Sequence, residues 1–319
     1  MIRWLNRFRW FRWLFPGDNE FYVSPHAGEY QPQSEKWFRR LKRLLLVVVV
    51  LCLLWPFLSP YTLRTTQTAI TCEDLPASIG QLRIVYVSDI HNGSQLFSQA
   101  RLTSLVNRIN ACNADIVILG GDFANDKWGA SAFFEEKLRI ASNYGVYAIT
   151  GECDIEPVEK NSDPIPNLRN KMADANVTLL NNEVATLRIG TSTIYLVGLN
   201  AQSTKRDEIA NLAAQVSSDD FVIFLAHSPA VISSALLLTD RNGRSNWFDL
   251  GLFGHTHGGQ IPFLESVFNF DGIPTRYESG LLMEARAWLL ISRGVGTTGF
   301  PARLFCPPEI NLITVQSGS

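Results

Sequence analysis

From residue 83 onward, short apolar runs alternate with helix-length amphipathic segments, and no other property of the chain restricts its fold as much. "RIVYVS" (83–88), "IVIL" (116–119) and "VYAIT" (146–150) are strand-like. Between them, 96–110 and 131–143 have helical spacing, with Leu102, Leu105, Val106 and Ile109 forming one stripe. Further strands are expected at 177–180, 184–189, 193–198, 221–226, 249–253, 287–292 and 309–315. Strand–helix alternation followed by strand-rich regions predicts one α/β domain with a large or doubled sheet. An apolar fraction of 46% and a charged fraction of 18% suit a sizeable core and argue against disorder.

Ahead of this body lies "LLLVVVVLCLLWPFL", fifteen apolar residues from Leu44 to Leu58. No charge follows until Arg64, so 44–63 forms an uncharged stretch of 20 residues, about what a bilayer core requires. The preceding residues 1–43 hold nine Lys/Arg and four Asp/Glu, a charge of +5, leaving −7 on the rest of a chain whose net charge is −2. A basic flank before an acidic body argues for a membrane partner and against nucleic acid. Lys36, Arg39, Arg40, Lys42 and Arg43 precede the span, so the N-terminus is expected in the cytoplasm and the body outside. Pro56 shortens the helix and leaves a monotopic anchor with a cytoplasmic body as the alternative. "MIRWLNRFRWFRWLF" reads as an interfacial helix, and 16–35 as a polar linker. The five cysteines form no disulfide framework.

The chemistry collects where strands end. "VSDIHNG" places Asp89 and His91 after the first strand, "LGGDFAND" places Asp122 after the second with Asn125 close by, and "TGECD" follows the third. "LAHSP" places His227, and "FGHTHGGQ" places His255 and His257, after later apolar runs. Four of the five histidines in the chain therefore sit at strand ends, which is where open α/β sheets bind ligands. Residues i and i+2 of an extended or turning backbone project the same way, so Asp89/His91 and His255/His257 each offer a ligand pair. Imidazole mixed with carboxylate suits Zn, Mn or Fe better than calcium, and there are too many ligands for one tetrahedral ion. Glu152, Cys153 and Asp154 in a row repel one another unless cations or water lie among them.

In this order, D-x-H, G-G-D, the G-E-C-D turn, a strand-end histidine and G-H-x-H resemble the calcineurin-like metallophosphoesterases, from about residue 82 to 316. "GHTHGGQIP" and "SRGVGTTGFPARLFCPPEI" look like a membrane-associated bacterial phosphodiesterase branch, which includes enzymes resembling UDP-2,3-diacylglucosamine pyrophosphatase. The resemblance implies a four-layer α/β/β/α sandwich over 80–316, following a basic segment at 1–43 and a transmembrane or anchor helix at 44–63. It also implies two divalent metal ions (Mn, Zn or Fe). Asp89, His91 and His257 would bind one, Glu152, His227 and His255 the other, and Asp122 would bridge them. Such a pair clamps a phosphoryl group and lowers the pKa of a bridging water, whose hydroxide attacks phosphorus in line with the leaving oxygen.

The family usually has asparagine and histidine where this chain has Glu152 and Cys153. A glutamate still ligates, but it makes the metal pair less positive, so slower turnover or altered metal preference is expected. A thiol beside carboxylates stays protonated. If Cys153 does not donate a proton, a good leaving group such as a nucleotide phosphate is implied; Cys153 and Asp122 are the candidate catalytic residues. Asn125, Arg293 and Arg303, with Arg276, are candidate phosphate contacts, since guanidinium matches phosphate bidentately. The expected function is membrane-anchored hydrolysis of a phosphodiester or pyrophosphate, with a lipid-linked substrate such as UDP-2,3-diacylglucosamine as one case. The alternatives are a phosphatase acting on soluble phosphomonoesters or nucleotides, and a metal-binding homologue without catalysis. A metal-dependent amide or ester hydrolase would not require G-G-D together with G-H-T-H-G-G-Q.

Overall fold

A computed structural model of the protein describes residues 33–93, 98–125, 127–135, 139–155, 166–202, 205–261 and 272–318. The expected interfacial helix at 1–15 lies outside these residues. By its internal packing the chain divides into Met1–Leu53 and Leu54–Ser319.

The first element, α1 (Gln33–Leu58), begins well before the apolar run. Its basic flank continues the helix because Lys, Arg, Glu and Gln are good helix formers. From Trp37 through the short 3-10 turn at Ser59–Tyr61, 25 residues are apolar enough to cross a membrane. At 1.5 Å per residue that is about 37 Å, against roughly 30 Å of hydrocarbon. Leu44, Leu45, Val47, Leu51, Leu53 and Leu58 are all exposed.

The body contains β1 (Arg64–Cys72), β2 (Gln81–Val87), α2 (Gln99–Ala111), β3 (Ile116–Leu119), α3 (Lys127–Glu135), β4 (Val146–Ala148), α4 (Pro166–Asp174) and β5 (Val177–Leu179). It continues with β6 (Glu183–Ile189), β7 (Ser192–Gly198), α5 (Arg206–Ala213), β8 (Phe221–Leu225), α6 (Ile232–Ala235), β9 (Leu250–Phe253), β10 (Gly280–Glu284), β11 (Ala287–Ile291) and β12 (Glu309–Ser317). This is a mixed α/β fold with two six-stranded sheets, in the orders β1-β12-β2-β3-β4-β5 and β10-β11-β9-β8-β7-β6. Strands β2 to β5 run parallel, as do β7, β8, β9 and β11. Consequently β2, β3 and β4 end on one edge of the first sheet, and β8, β9 and β11 on one edge of the second.

Strand periodicity divides the core. Ile84 and Tyr86 of β2 and Ile116 and Ile118 of β3 join a buried cluster with Leu196, Ile223 and Leu252 of the second sheet. The alternate residues Val85, Val87, Val117 and Leu119 pack instead with Leu102, Leu105 and Ile109 of α2. In the second sheet Val222 and Phe224 turn toward Ile209 and Leu212 of α5.

Three expectations change. β1 was unforeseen because "RTTQTAITC" is polar and only partly buried, and it is defined by its parallel ladder with β12 from Arg64↔Glu309 to Cys72↔Ser317. β10 was also missed; it is half-exposed and exists through its hairpin with β11. The helix expected over 131–143 is found as α3, ending at Glu135, and 139–143 are not helical. There Asn110 accepts from the Ala141 N–H at 2.8 Å and donates to the Arg139 carbonyl at 2.8 Å, while Asn143 donates to Asp115 at 2.8 Å. A side chain that satisfies backbone polar groups, as Asn110 does, holds a loop against helix formation.

Just before β9, Asp249 accepts the Val222 N–H at 2.8 Å. Burial and the neighbouring Asp74, against that N–H, push its carboxyl up to about 8. Because the folded value lies above the ordinary 3.8, its contribution to stability is complete below about pH 4 and is lost as pH rises toward 8. Melting temperatures across pH 5–9 are therefore expected to decline less steeply in Asp249→Asn than in wild type; parallel curves would refute this.

Candidate metal centre

The parallel strands deliver their C-terminal residues to one place, and the backbone there is tightly drawn. Asp89 N–H donates to Gly121 O at 3.0 Å, His91 N–H to Asp122 O at 3.0 Å, and Gly254 N–H to His227 O at 2.9 Å. Gly121 has φ +91°, and a Cβ there would meet the Gly151 backbone nitrogen; one at Gly151 would meet Asp122 Oδ1. The turns after β3 and β4 can touch only because both positions are glycine. Asp89, His91, Asp122, His255 and His257 all have φ between +47° and +70°. Left-handed backbone costs non-glycine residues roughly 1–3 kcal/mol each and clusters at functional sites.

Eight side chains converge. Asp89, His91 and His257 place ligand atoms within 4.8 Å of one another, as do Glu152, His227 and His255, and likewise Asp89, Asp122 and His227. Cys153 forms such a group with His91 and Asp122. All but Glu152, Cys153 and His255 are fully buried. His227 Nδ1 lies 2.7 Å from the Gly120 carbonyl, which can only accept, so this nitrogen carries the proton. Nε2 faces Glu152 Oε2 (3.1 Å), Asp122 Oδ2 (3.4 Å) and Asp89 Oδ1 (3.7 Å). It has no hydrogen-bond partner among the described residues. Three carboxylate oxygens and an imidazole nitrogen meeting here call for positive charge, which a proton on Nε2 meets when no metal is bound, and this donor set fits a divalent metal of the N/O-ligating kind.

The titration behaviour expresses the same demand. Against burial, Asp122 and Glu152 hold His227 well above its ordinary value. Against burial, His227 and His255 keep Glu152 far below the usual carboxylate range, although its side chain is 46% exposed. Burial, with His91 and Arg303, depresses His257. Burial, with Asp122 and Asp154, pushes the Cys153 thiol up, so Cys153 is present as the thiol. Its N–H donates to Asp122 Oδ1 at 2.9 Å, which leaves Oδ2 to face His91 and His227.

The phosphate-contact candidates separate. Asn125 is exposed beside the site, its N–H on Asn92 O at 3.3 Å. Arg293 follows β11 and is 38% exposed at the rim, with Nη1 3.9 Å from Glu309. Arg276 lies over the Tyr277 ring and pairs with Glu284 at 3.3 Å. Arg303 must be corrected, because it is fully buried and its donors are committed. They reach Gly296 O (2.6 Å), Cys306 O (3.3 Å) and His257 Nδ1 (3.2 Å), so it positions the His257 turn rather than meeting substrate.

Two supporting residues escaped the sequence reading. Asp154, buried, accepts from the N–H groups of Asp122 (2.7 Å), Gly151 (2.8 Å) and Phe123 (2.9 Å), tying the two glycine turns together. Cys306 Sγ donates to His257 O at 3.0 Å. The adjacency of Asp154 to Glu152 was visible, but nothing in one dimension shows a carboxylate turning back onto another strand's turn.

Comparison with known proteins agrees with this geometry. Residues 82–259 match the family described as Calcineurin-like phosphoesterase, and the chain belongs to that family. It is 25% identical to the uncharacterized metallophosphoesterase YkuE of Bacillus subtilis, covering 82% of this chain and 88% of that one. An uncharacterized metallophosphoesterase of Aquifex aeolicus is 23% identical over 84% of this chain and 98% of its own. A Danio rerio protein named "Transmembrane protein with metallophosphoesterase domain" is 24% identical over 88% of this chain and 63% of its own.

Proposed function

We propose that this chain is a membrane-anchored phosphoesterase that uses two divalent metal ions to hydrolyse a phosphodiester or pyrophosphate bond. The observation that carries the reading is the meeting of His227 Nε2 with three carboxylates within 3.7 Å, inside the strand-end group of histidines and aspartates. Asp89, His91 and His257 would hold one ion and Glu152, His227 and His255 the other, with Asp122 between them. When bound, such ions polarise a phosphoryl group and activate water. The chain's own residues fix the ligands: Gly120 O sets the His227 tautomer, and Asp154 aims Asp122. Arg293 and Asn125 stand at the rim as phosphate contacts.

Cys153, held as a thiol, is a poor proton donor near neutral pH, which favours substrates with good leaving groups, such as a nucleotide phosphate in a pyrophosphate. UDP-2,3-diacylglucosamine has that chemistry. The apolar α1, and a relative whose name includes "Transmembrane", support a membrane anchor, and the Lys/Arg cluster ahead of it favours a single pass with a cytoplasmic N-terminus and the body outside. The three core clusters support an α/β/β/α order of layers.

Metal content and bis-p-nitrophenyl phosphate hydrolysis of wild type and Glu152→Ala test the site. The variant is expected to lose metal affinity by about 10–100-fold or more, the range seen when metal-site residues are disturbed. Equal metal content and activity would sink the Glu152 assignment. A panel of UDP-diacylglucosamine, phospholipids and nucleotides tests the substrate, and turnover of soluble monoesters alone would defeat the lipid reading. Reporter fusions at the C-terminus test the topology.

A further inference from the structure

The segment Thr298–Cys306 supplies Arg303 and Cys306 to the His257 turn, yet it also turns two large aromatics outward, Phe300 at 46% exposed and Phe305 at 75%. The last turn of α1 lies against the same segment. Arg303 N–H donates to Pro56 O at 2.8 Å, and the Phe57 and Phe300 rings meet edge-on at 5.8 Å. Trp55 (47%), Phe57 (45%) and Tyr61 (59%) are exposed at this end of α1 too, so two segments distant in sequence, joined at the Phe57–Phe300 contact, each present exposed aromatics. Patches of this kind on a protein surface mark an interaction site.

The platform beneath the patch is rigid. The Gln260 side chain is buried and donates to Thr298 O at 3.1 Å and Phe300 O at 2.8 Å, while accepting Thr298 N–H at 3.1 Å. Leu304 N–H bonds Gln260 O at 2.9 Å. Phe305 itself has φ +56°, an outlier for a bulky side chain, and it is 75% exposed. Burying such a ring is favourable, so a surface that receives it offsets the strain.

We propose that Phe300 and Phe305, with Trp55, Phe57 and Tyr61, form a surface that inserts into the headgroup region of the lipid bilayer, so that the metal site meets amphiphilic phosphoesters at the membrane. The inference rests on the membrane-anchor reading of α1. Three observations favour a bilayer as the occupant. The patch is continuous with the 25-residue apolar segment Trp37–Tyr61, whose far end it adjoins. Its aromatics lie where the chain leaves that segment, the position of interfacial belts. Cations accompany them: Arg101 sits over the Tyr61 ring at 5.3 Å and donates to Pro60 O, and Arg108 donates to Leu63 O at 3.1 Å. Arginines at that level suit anionic headgroups. Arg303 then links patch to chemistry, with its backbone on Pro56 O and its guanidinium 3.2 Å from His257 Nδ1.

Full-length Phe305→Trp and Met283→Trp, placed in vesicles of phosphatidylcholine and phosphatidylglycerol with brominated acyl chains, test the contact. Met283 is also open (54% exposed) but lines the cavity beside Cys72, at the opposite end of β1 from the helix. Relative to wild type, the added emission of Phe305→Trp is expected to be blue-shifted and quenched by bromine, and that of Met283→Trp neither. Equal quenching of the two in protein that floats with the vesicles overturns the inference while leaving the anchor intact. A blue shift without quenching shows a protein partner and also overturns it. Protein that does not float removes the anchor reading and the inference together. In kinetics, Phe300→Asp/Phe305→Asp is expected to raise KM for a vesicle-presented phosphodiester by about tenfold. Hydrolysis of soluble bis-p-nitrophenyl phosphate should be unchanged, and equal effects on both substrates would count against a membrane role.

Discussion

Replacing Asp122 with asparagine is expected to lower bis-p-nitrophenyl phosphate hydrolysis by at least about 100-fold, above the 10–100-fold usual for residues that only support a ligand. Asp122 lies between the two ligand groups, with Oδ2 3.4 Å from His227 Nε2 and 3.6 Å from His91 Nε2. The amide keeps the oxygen that accepts the Cys153 N–H, so the turn should survive, but it removes the charge that two cations would share. Thermal melts make the loss measurable without turnover. A cation at 100 times its Kd stabilises the folded state by about 2.7 kcal/mol, which in a domain of this size raises Tm by roughly 5–10 °C. Wild type should show that rise with Mn or Zn, and Asp122→Asn little or none. An undiminished rise in the variant would mean that the ions, if bound, do not meet at Asp122.

Asp154→Ala is expected to be the most destabilising single change near the site. Its carboxylate receives three backbone N–H groups at 2.7–2.9 Å, from Asp122, Gly151 and Phe123. An orphaned buried donor costs about 1–3 kcal/mol, so three of them cost at least about 3 kcal/mol even with partial relaxation. The corresponding fall in Tm is roughly 6–12 °C. Because the clamp also sets the direction of Asp122, metal affinity should fall about 10–100-fold in the same variant. Asp154→Asn retains one acceptor oxygen and should recover part of both losses. A variant that melts and binds metal like wild type would show that the glycine turns hold themselves.

Much of the fold was legible because hydrophobic periodicity is local. "RIVYVS" and "IVIL" become β2 and β3, whose alternate residues divide between two core clusters as a period of two requires. The elements that escaped notice are those whose stability is not local. β1 is a polar edge strand held by its ladder to β12, a partner more than two hundred residues away. Asn110 keeps 139–143 out of a helix through bonds that span 29 to 31 positions.

The same division runs through the site. Asp89, His91, Asp122, Glu152, His227, His255 and His257 could be picked out because each follows an apolar run, and strand ends are where a parallel sheet presents side chains. What the chain order could not show is how those ends approach one another. The contact of the Gly121 and Gly151 turns and the return of Asp154 onto Asp122 depend on contacts across strands. Arg303 illustrates the limit: among its neighbours in the sequence it looked like a phosphate contact, but burial sends its guanidinium to His257 and its N–H to Pro56. Residue type and spacing specify the ligands that a strand end can offer, since both are set within a few residues. Charge balance, tautomer and direction are set by atoms from several strands meeting in a space closed to water, and these exist only once both sheets have formed.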